Sequence, residues 1–595
     1  MPRGFWNSPL EVAGILLLVG FLSSPKLFII GLDSATWTLL RPAIAKGDLP
    51  NLAKLVGAGA SGPLQSALPP LTPPAWTSFM TGMNPGKHGI FHFLEPQPGS
   101  YAMRYSNAGS RRSRTIWQIL SEAGVSVGSV NVPFTFPPEK CAAFQISGMD
   151  TPSEKSAFIH PPKLREELER ALGAKLDLEI RYLGFMSTDE RRDAVLAGMA
   201  RLDEQWTKVG LHLLEKRPAD VMMLTFMSID TVQHYFWHYM DAQHFQHDAS
   251  RAAKYGDAIL KVYRRLDASV GKFLEKLAPD THVFVVSDHG GGPTSERTVY
   301  LNRYLAQLGL LHYKEGTTSA FGKMKQRFIR SLFQSIRGAL TSAQKKKLAS
   351  LLPALREKFE VAATSFANID WSRTQAYCSE VLASPPSIWI NLKGTRPNGI
   401  VEPGDYEALR ELLIKKIAEL RDPRDGSAMI PRVYKREELF QGPFASEAPD
   451  LILDWWSDHA FQTAPSLPED TDKPVTEIRP RAPMTEPEWS GTHRLDGVVI
   501  YSGPAARQGA SIQGARLMDM APTVLHLMEQ KIPAGMDGRV LTDLFKPEFL
   551  AAHPVSVEGG AAESIVNADA APATPYSEEE AAQVEERLKA LGYID

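Results

Sequence analysis

The run Lys26-Leu27-Phe28-Ile29-Ile30-Gly31-Leu32 is apolar until it stops at Asp33, and Val283-Phe284-Val285-Val286-Ser287 stops in the same way at Asp288-His289. Runs of this length without polar alternation read as strands buried on both faces, the kind that parallel sheets use. A third, Asp220 to Phe226, leads into Ser228-Ile229-Asp230, so Asp33, Asp230 and Asp288 all fall at or just past strand ends. Open α/β sheets bind their ligands outside the carboxyl ends of the strands. Few folds other than a parallel sheet would place three carboxylates in that one position.

The intervening sequence supports βαβ alternation. Helical patterns run from Trp37 to Lys46, from Asn51 to Val56 with Gly57 as the expected stop, and from Thr115 to Ala123 before a strand from Val125 to Val132. A long amphipathic helix is expected from Ala252 to Leu277, with Gly290-Gly291-Gly292 letting the backbone turn away after His289. Late in the chain, Gly491-Thr492-His493-Arg494 leads into a strand from Val498 to Tyr501, followed by a helix from Asp519 to Gln530.

Between the first two strand ends lies Leu71-Thr72-Pro73-Pro74-Ala75-Trp76, the start of a helix expected to stop at Gly82. Taken locally, Thr72 reads as a capping residue. The same place suits an anion, because the first N–H groups of a helix have no partner and the aligned peptide dipoles favour negative charge. Asp230 and His234 are four apart, so on a helix they share a face and can converge on one ion. The plainer reading of that segment is an aromatic core helix whose N-cap is Asp230.

Composition limits the chemistry. With a formal net charge of −3 the chain has no basic excess to drive nucleic-acid binding, and specific nucleic-acid recognition is not expected. Cys141 and Cys378 are too few for a disulfide framework or a cysteine-based zinc site, so any metal must be held by histidines and carboxylates. Asp33, Thr72, Asp230, His234, Asp288, His289 and His493 together form an oxygen and nitrogen set suited to two zinc-like ions.

The order and spacing of these seven residues resemble the alkaline phosphatase superfamily, and within it the type I phosphodiesterase/nucleotide pyrophosphatase family. The resemblance rests on strand-Asp33, Thr72 with Thr81-Gly82 and His88-Gly89-Ile90 downstream, Asp230-x-x-x-His234, Ser287-Asp288-His289-Gly290 and Gly491-Thr492-His493. It implies an alkaline-phosphatase-like α/β fold, with a mostly parallel central sheet, helices on both faces and an inserted α+β cap. By that resemblance Asp33, Thr72, Asp288 and His289 hold one divalent ion and Asp230, His234 and His493 the other, Zn2+ first and Mn2+ second. Thr72 is then the nucleophile of a hydrolase that cleaves phosphodiester or pyrophosphate bonds, acting on a small phosphodiester or nucleotide-like substrate. Three aspartates and a Thr72 alkoxide offset two divalent cations, which suits a diester monoanion better than a monoester dianion.

The sequence departs from the family where Pro74-Ala75 replaces Pro-Asn, and where Phe91-His92-Phe93 follows His-Gly-Ile in place of a phosphate-contacting Asn. Lys87 or His92 can supply that contact, although a turn lysine and a surface histidine are the commoner explanations. Alternatives within the superfamily are a phosphoethanolamine-type transferase and a phosphomonoesterase or phosphomutase. A sulfatase is disfavoured because neither cysteine lies in a Cys-x-Pro-x-Arg sequence. A binding protein that keeps the fold without turnover is the alternative from another class, and the complete ligand set argues against it.

The expected organisation is an N-terminal apolar extension over 1–25, a catalytic core over 26–298 and 486–548, an inserted cap over 299–485, a linker over 549–576 and a charged helix over 577–595. Val12 to Leu22 has the length of a signal-peptide core, yet it equally fits a start assigned too far upstream or a buried helix, so cytoplasmic, membrane-associated and exported placements stay open. Between Phe321 and Lys358 ten Lys and Arg face a single acid, with apolar residues at helical spacing. Such a helix can lie on a membrane surface, though a solvated face over a packed stripe is the plainer reading. The oligomeric state is not legible.

Overall fold

The computed structural model describes residues 24–595 except 98, 102, 141, 185, 315–365, 367, 380–384, 458–460, 485–488, 560–575 and 592–595. The apolar run at 12–22, the basic segment of 321–358 and Cys141 therefore lie outside the described residues. Among the described residues no helix is long and apolar enough to cross a membrane.

The centre is a ten-stranded sheet. Its strands are β1 (Leu27–Leu32), β2 (Ala60–Gln65), β3 (Val127–Val132), β4 (Phe144–Ser147), β5 (Ile159–His160), β6 (Val221–Phe226) and β7 (His282–Val286), joined late in the chain by β10 (Asp496–Ser502), β11 (Ala510–Ser511) and β12 (Ala515–Arg516). The order is β11-β2-β10-β7-β1-β6-β3-β4-β5, with β12 also on β2. β1 pairs in parallel with both β6 and β7, β3 with both β6 and β4, while β10 runs antiparallel between β7 and β2. The fold is thus α/β with a mostly parallel sheet, as the apolar runs require.

Alternate residues of β1 face opposite cores, the period-2 consequence of the pleat. Phe28, Ile30 and Leu32 pack with the helices Asp189–Lys216 and Ala258–Leu274 and with α2 (Ser228–Met240), whereas Leu27 and Ile29 pack with α1 (Thr72–Thr81) and the helix Met520–Leu527. α1 and α2 therefore cover opposite faces, and both begin at the carboxyl edge of the sheet. That edge is where Asp33 and Asp288 emerge.

Several boundaries differ from expectation for identifiable reasons. The helix Pro50–Ala58 runs through Gly57 and stops at Gly59. The long helix expected from Ala252 is two, Ala249–Tyr255 and Ala258–Leu274, parted at Gly256 and Asp257. The glycines after His289 do not form a turn. They make strand β8 (Gly290–Pro293), which pairs antiparallel with β9 (Gly491–Arg494), Gly291 opposite His493. A Cβ on Gly491 would sit 2.2 Å from the backbone oxygen of Gln233, so this close approach of β9 to α2 needs glycine.

Residues between β8 and β9 build a second core around a four-stranded sheet of Ala376–Tyr377, Ser387–Ile390, Leu451–Leu453 and Val433–Lys435, with the helix Tyr406–Ala418 against it. Leu71, immediately before α1, belongs to that core. The region expected to be a linker starts as structure: Pro547–Ala552 is helical, Phe549 and Leu550 pack on the core, and Val557 bridges to Ile532. Its two apolar side chains outweigh the Ala-rich composition.

The C-terminal α3 (Glu578–Leu591) is docked. Val584 and Leu588 are buried with Ile90, Phe93, Phe134 and Met149. Arg587 donates to the carbonyls of Thr151 (2.5 Å) and Leu178 (2.6 Å), and the Tyr576 hydroxyl donates to Asp150 O (2.7 Å).

Candidate metal centre

β1 ends in Asp33, β7 ends in front of Asp288 and His289, α2 carries Asp230 and His234, and β9 carries His493. All six side chains are buried. Two groups of possible ligands share His289, one with Asp33 and Asp288 and one with Asp230 and His493. Asp33, Asp288 and His289 gather at one end, with His289 Nε2 3.8 Å from Asp33 Oδ1 and 3.2 Å from Asp288 Oδ2. At the other, Asp230 Oδ1 lies 3.1 Å from His234 Nε2 and 3.3 Å from His493 Nε2, and the two Nε2 atoms are 3.1 Å apart. The rings of His289 and His493 stack at 3.7 Å and join the groups.

The tautomers follow from the other ring nitrogens. His234 Nδ1 faces Gly491 O at 2.8 Å, His493 Nδ1 faces Pro70 O at 2.8 Å and His289 Nδ1 faces Gly290 O at 3.2 Å. A carbonyl only accepts, so each neutral ring keeps its proton at Nδ1 and presents a bare lone pair at Nε2. Three such lone pairs point into a cluster of carboxylate oxygens. Asp33 Oδ1 and Asp288 Oδ2 accept no hydrogen bond there, and each such orphan in a buried site costs on the order of 1–3 kcal/mol. Acceptors facing acceptors are a poor arrangement for protons and a good one for cations, so the donor set fits divalent metal ions.

Electrostatics agree. Burial, and then the Asp288 charge, push the Asp33 carboxyl well above its ordinary range, and burial and Asp230 do the same to Asp288. Burial opposes ionisation of Asp230 too, yet positive charge on the side of His234 and His493, which a protonated ring supplies in the metal-free fold, holds it well below the carboxylate norm. Burial lowers both His289 and His493, which keeps the rings neutral and able to ligate.

Thr72 is not a helix cap. Helix α1 begins at Thr72 with Leu71 as its cap residue, and no side chain caps it. The hydroxyl instead lies 3.5 Å from His289 Nε2. The amide donors expected at this helix start are also missing: Pro73 and Pro74 have no N–H, and the Ala75 N–H is bonded to Leu71 O at 3.0 Å. The prolines that fix the first turn remove the donors an anion would use.

Neighbouring groups orient the set. Trp76 donates from Nε1 to Asp33 Oδ2 at 2.9 Å, which turns Oδ1 toward the cluster. Gly31 gives that indole room, since a Cβ there would sit 3.0 Å from Trp76. The Ser34 N–H donates to Asp288 Oδ1 from a left-handed backbone (φ 62°), and Gln233 Nε2 steadies Ser34 O at 2.8 Å. Trp489 stacks on His234 with ring centres 3.5 Å apart. Sequence reading missed these residues. Trp76 alone had a signal, one helical turn after Thr72; Ser34, Gln233 and Trp489 had none.

The two residues offered as substrate contacts each have a partner within the protein. Lys87 Nζ donates to Asp537 Oδ1 (2.5 Å) and Gly535 O (3.0 Å). His92 accepts the Leu94 N–H at Nδ1, so its neutral form is a donor at Nε2.

A mostly parallel sheet with a buried Asp/His cluster at its carboxyl edge defines a metal-dependent phosphoester hydrolase of the α/β class once its family is known, and residues 27–473 match the model of the type I phosphodiesterase / nucleotide pyrophosphatase family. The chain belongs to that family. A 2,3-bisphosphoglycerate-independent phosphoglycerate mutase of Dinoroseobacter shibae is 41% identical over 63 residues, which is 10% of this chain and 12% of that protein. Among solved structures, phosphonoacetate hydrolase of Sinorhizobium meliloti is similar with a TM-score of 0.46 and 16% identity, covering 84% of this chain and 94% of its own. Human ectonucleotide pyrophosphatase / phosphodiesterase 5 gives 0.45 and 13%, covering 88% and 100%.

Proposed function

We propose that the protein is a two-metal phosphodiesterase that hydrolyses a small phosphodiester or pyrophosphate through a covalent intermediate on Thr72. The observation that carries this reading is the convergence of three Nε2 lone pairs and undonated carboxylate oxygens beside the Thr72 hydroxyl. Asp33, Asp288, His289 and Thr72 would hold one ion and Asp230, His234 and His493 the other, Zn2+ by ligand type with Mn2+ as the alternative. When bound, the two cations supply the positive charge that makes a threonine alkoxide available near neutral pH and offsets charge on the phosphoryl oxygens.

The residues do the rest. Thr72 Oγ1 gives up its proton to solvent and forms an O–P bond while the opposite P–O bond breaks, and the departing alkoxide takes a proton from water. A water oxygen then adds to phosphorus, Thr72 Oγ1 leaves and is reprotonated, and a monoester is released. The His234 and His493 end of the cluster lies on the leaving-group side in this arrangement. The division into a core of 26–298 and 486–548 and a cap of 299–485 is part of this reading, supported by Leu71 packing in the core of the intervening residues, and His92 stays a proposed substrate contact.

The test is bis-p-nitrophenyl phosphate against p-nitrophenyl phosphate at saturating zinc or manganese, with Thr72→Ala as control. Faster diester turnover and a labelled wild-type protein that Thr72→Ala fails to give support the reading. Well under two metal equivalents after reconstitution, with Thr72→Ala changing nothing, would sink it.

A further inference from the structure

Helix α1 offers a bound phosphoryl group almost no donors. Pro73 and Pro74 carry no N–H, the Ala75 N–H is bonded to Leu71 O, and the Ala75 side chain is a methyl. Only the Thr72 N–H remains in the first turn. Phosphoryl oxygens gain charge in the transition state, and a fixed donor aimed at them is among the strongest catalytic devices.

One buried donor nearby has no partner. Trp455 follows the cap strand Leu451–Leu453, is 8% exposed, and its Nε1–H makes no hydrogen bond. Leaving a buried N–H unpaired costs on the order of 1–3 kcal/mol, a cost that a ligand acceptor would relieve. The ring centre lies 6.4 Å from that of His493. Trp455 also shares the apolar cluster of Leu71, the residue before the nucleophile. His493 is in turn held by Pro70 O, two residues before Thr72.

Resting on the two-metal reading above, we infer that Trp455 is a further catalytic residue, donating its indole N–H to a non-bridging oxygen of the phosphoryl group at Thr72. The cap then contributes to the chemistry as well as enclosing it. A donor from the cap takes the place of the amides that the prolines delete.

The experiment uses the full, metal-loaded chain. Trp455→Phe keeps the ring and removes the donor, and is expected to lower kcat/KM on bis-p-nitrophenyl phosphate about 10- to 100-fold with metal content unchanged. Trp456→Phe, the neighbouring indole, should stay within about twofold of wild type. The second readout is spectroscopic: the Trp455 indole N–H resonance, assigned by its loss in Trp455→Phe or Trp455→His, should move downfield on adding inorganic phosphate. A Trp455→Phe enzyme with wild-type kcat/KM, or an indole resonance that phosphate leaves in place, overturns the inference. Where wild type turns over no diester the two-metal reading fails by itself, and the phosphate-induced shift still decides for or against Trp455 as a donor.

Discussion

Asp203 and Asp288 are both buried carboxylates beside α2, and their surroundings are opposite. Asp203 accepts the Ser228 hydroxyl at both oxygens, at 2.6 and 2.8 Å, and the Arg265 guanidinium at 2.8 Å through Nε and 2.5 Å through a terminal nitrogen. Asp288 has backbone N–H donors alone, Ser34 among them at Oδ1, while Oδ2 faces a histidine lone pair. A buried charge is tolerated when its counter-charge is built in, and is costly when it is not. The acid with a protein partner is scaffold and the acid without one is reserved for something that must arrive. Buried acids in such a fold are sorted by their donors more reliably than by their depth.

The contrast breaks most visibly at Thr72. Thr72→Ala should lower diester kcat/KM by about a thousandfold or more, with the thermal midpoint of the metal-free protein near wild type, because the hydroxyl caps no helix and bonds to no scaffold group. Loss of stability in its place would put Thr72 on the scaffold side. Next in size, Asp203→Ala should cost about 3 kcal/mol in urea unfolding, since Arg265 and Ser228 lose their acceptor. Metal stoichiometry should stay at the wild-type value, as measured by mass spectrometry of the dialysed protein.

Trp76→Phe sharpens the boundary between the two kinds of acid. Removing the indole N–H takes the Trp76 donor away from Asp33 Oδ2, so cation affinity should fall about tenfold by competition with a fluorescent chelator. The smallest effect is the pH dependence. The Asp33 and Asp288 carboxyls are raised in the metal-free fold, so their contribution to stability is present below the unfolded carboxylate pKa and is lost as pH climbs through the raised values. Cations reverse that loss by replacing the protons. Stabilisation by added zinc, read as a shift in thermal midpoint, should therefore grow as pH rises from 5 toward neutrality (about 1.4 kcal/mol per proton and pH unit at most). A shift that does not vary with pH would place both acids with Asp203.

Much of this was legible in sequence because strands report themselves. Leu27 to Leu32 and Val283 to Val286 are buried on both faces, so their apolar composition is unbroken, and each aspartate stands out at the end. The helix spacing of Asp230 and His234 was equally plain. What did not show was pairing between distant segments. Gly290 to Gly292 read as a turn because a ladder with residues 491–494 has no local signature, and it is this ladder that brings His493 to His289. Thr72 read as a cap because capping is the local rule; what displaced it was a histidine 217 positions away. The donor role of the helix start failed on a point visible in the sequence, since proline has no N–H to offer.

The docked helix α3 also sets the order in which the molecule can be completed. Arg587 reaches a carbonyl 436 positions back, and Val584 and Leu588 close a patch formed by Ile90, Phe93, Phe134 and Met149. On the ribosome that patch has to wait, uncovered, until residues 584–588 are made. A nascent protein stalled or clipped short of residue 584 would therefore carry a greasy mark of incompleteness next to the His88-Gly89 turn, of the kind chaperones and proteases read.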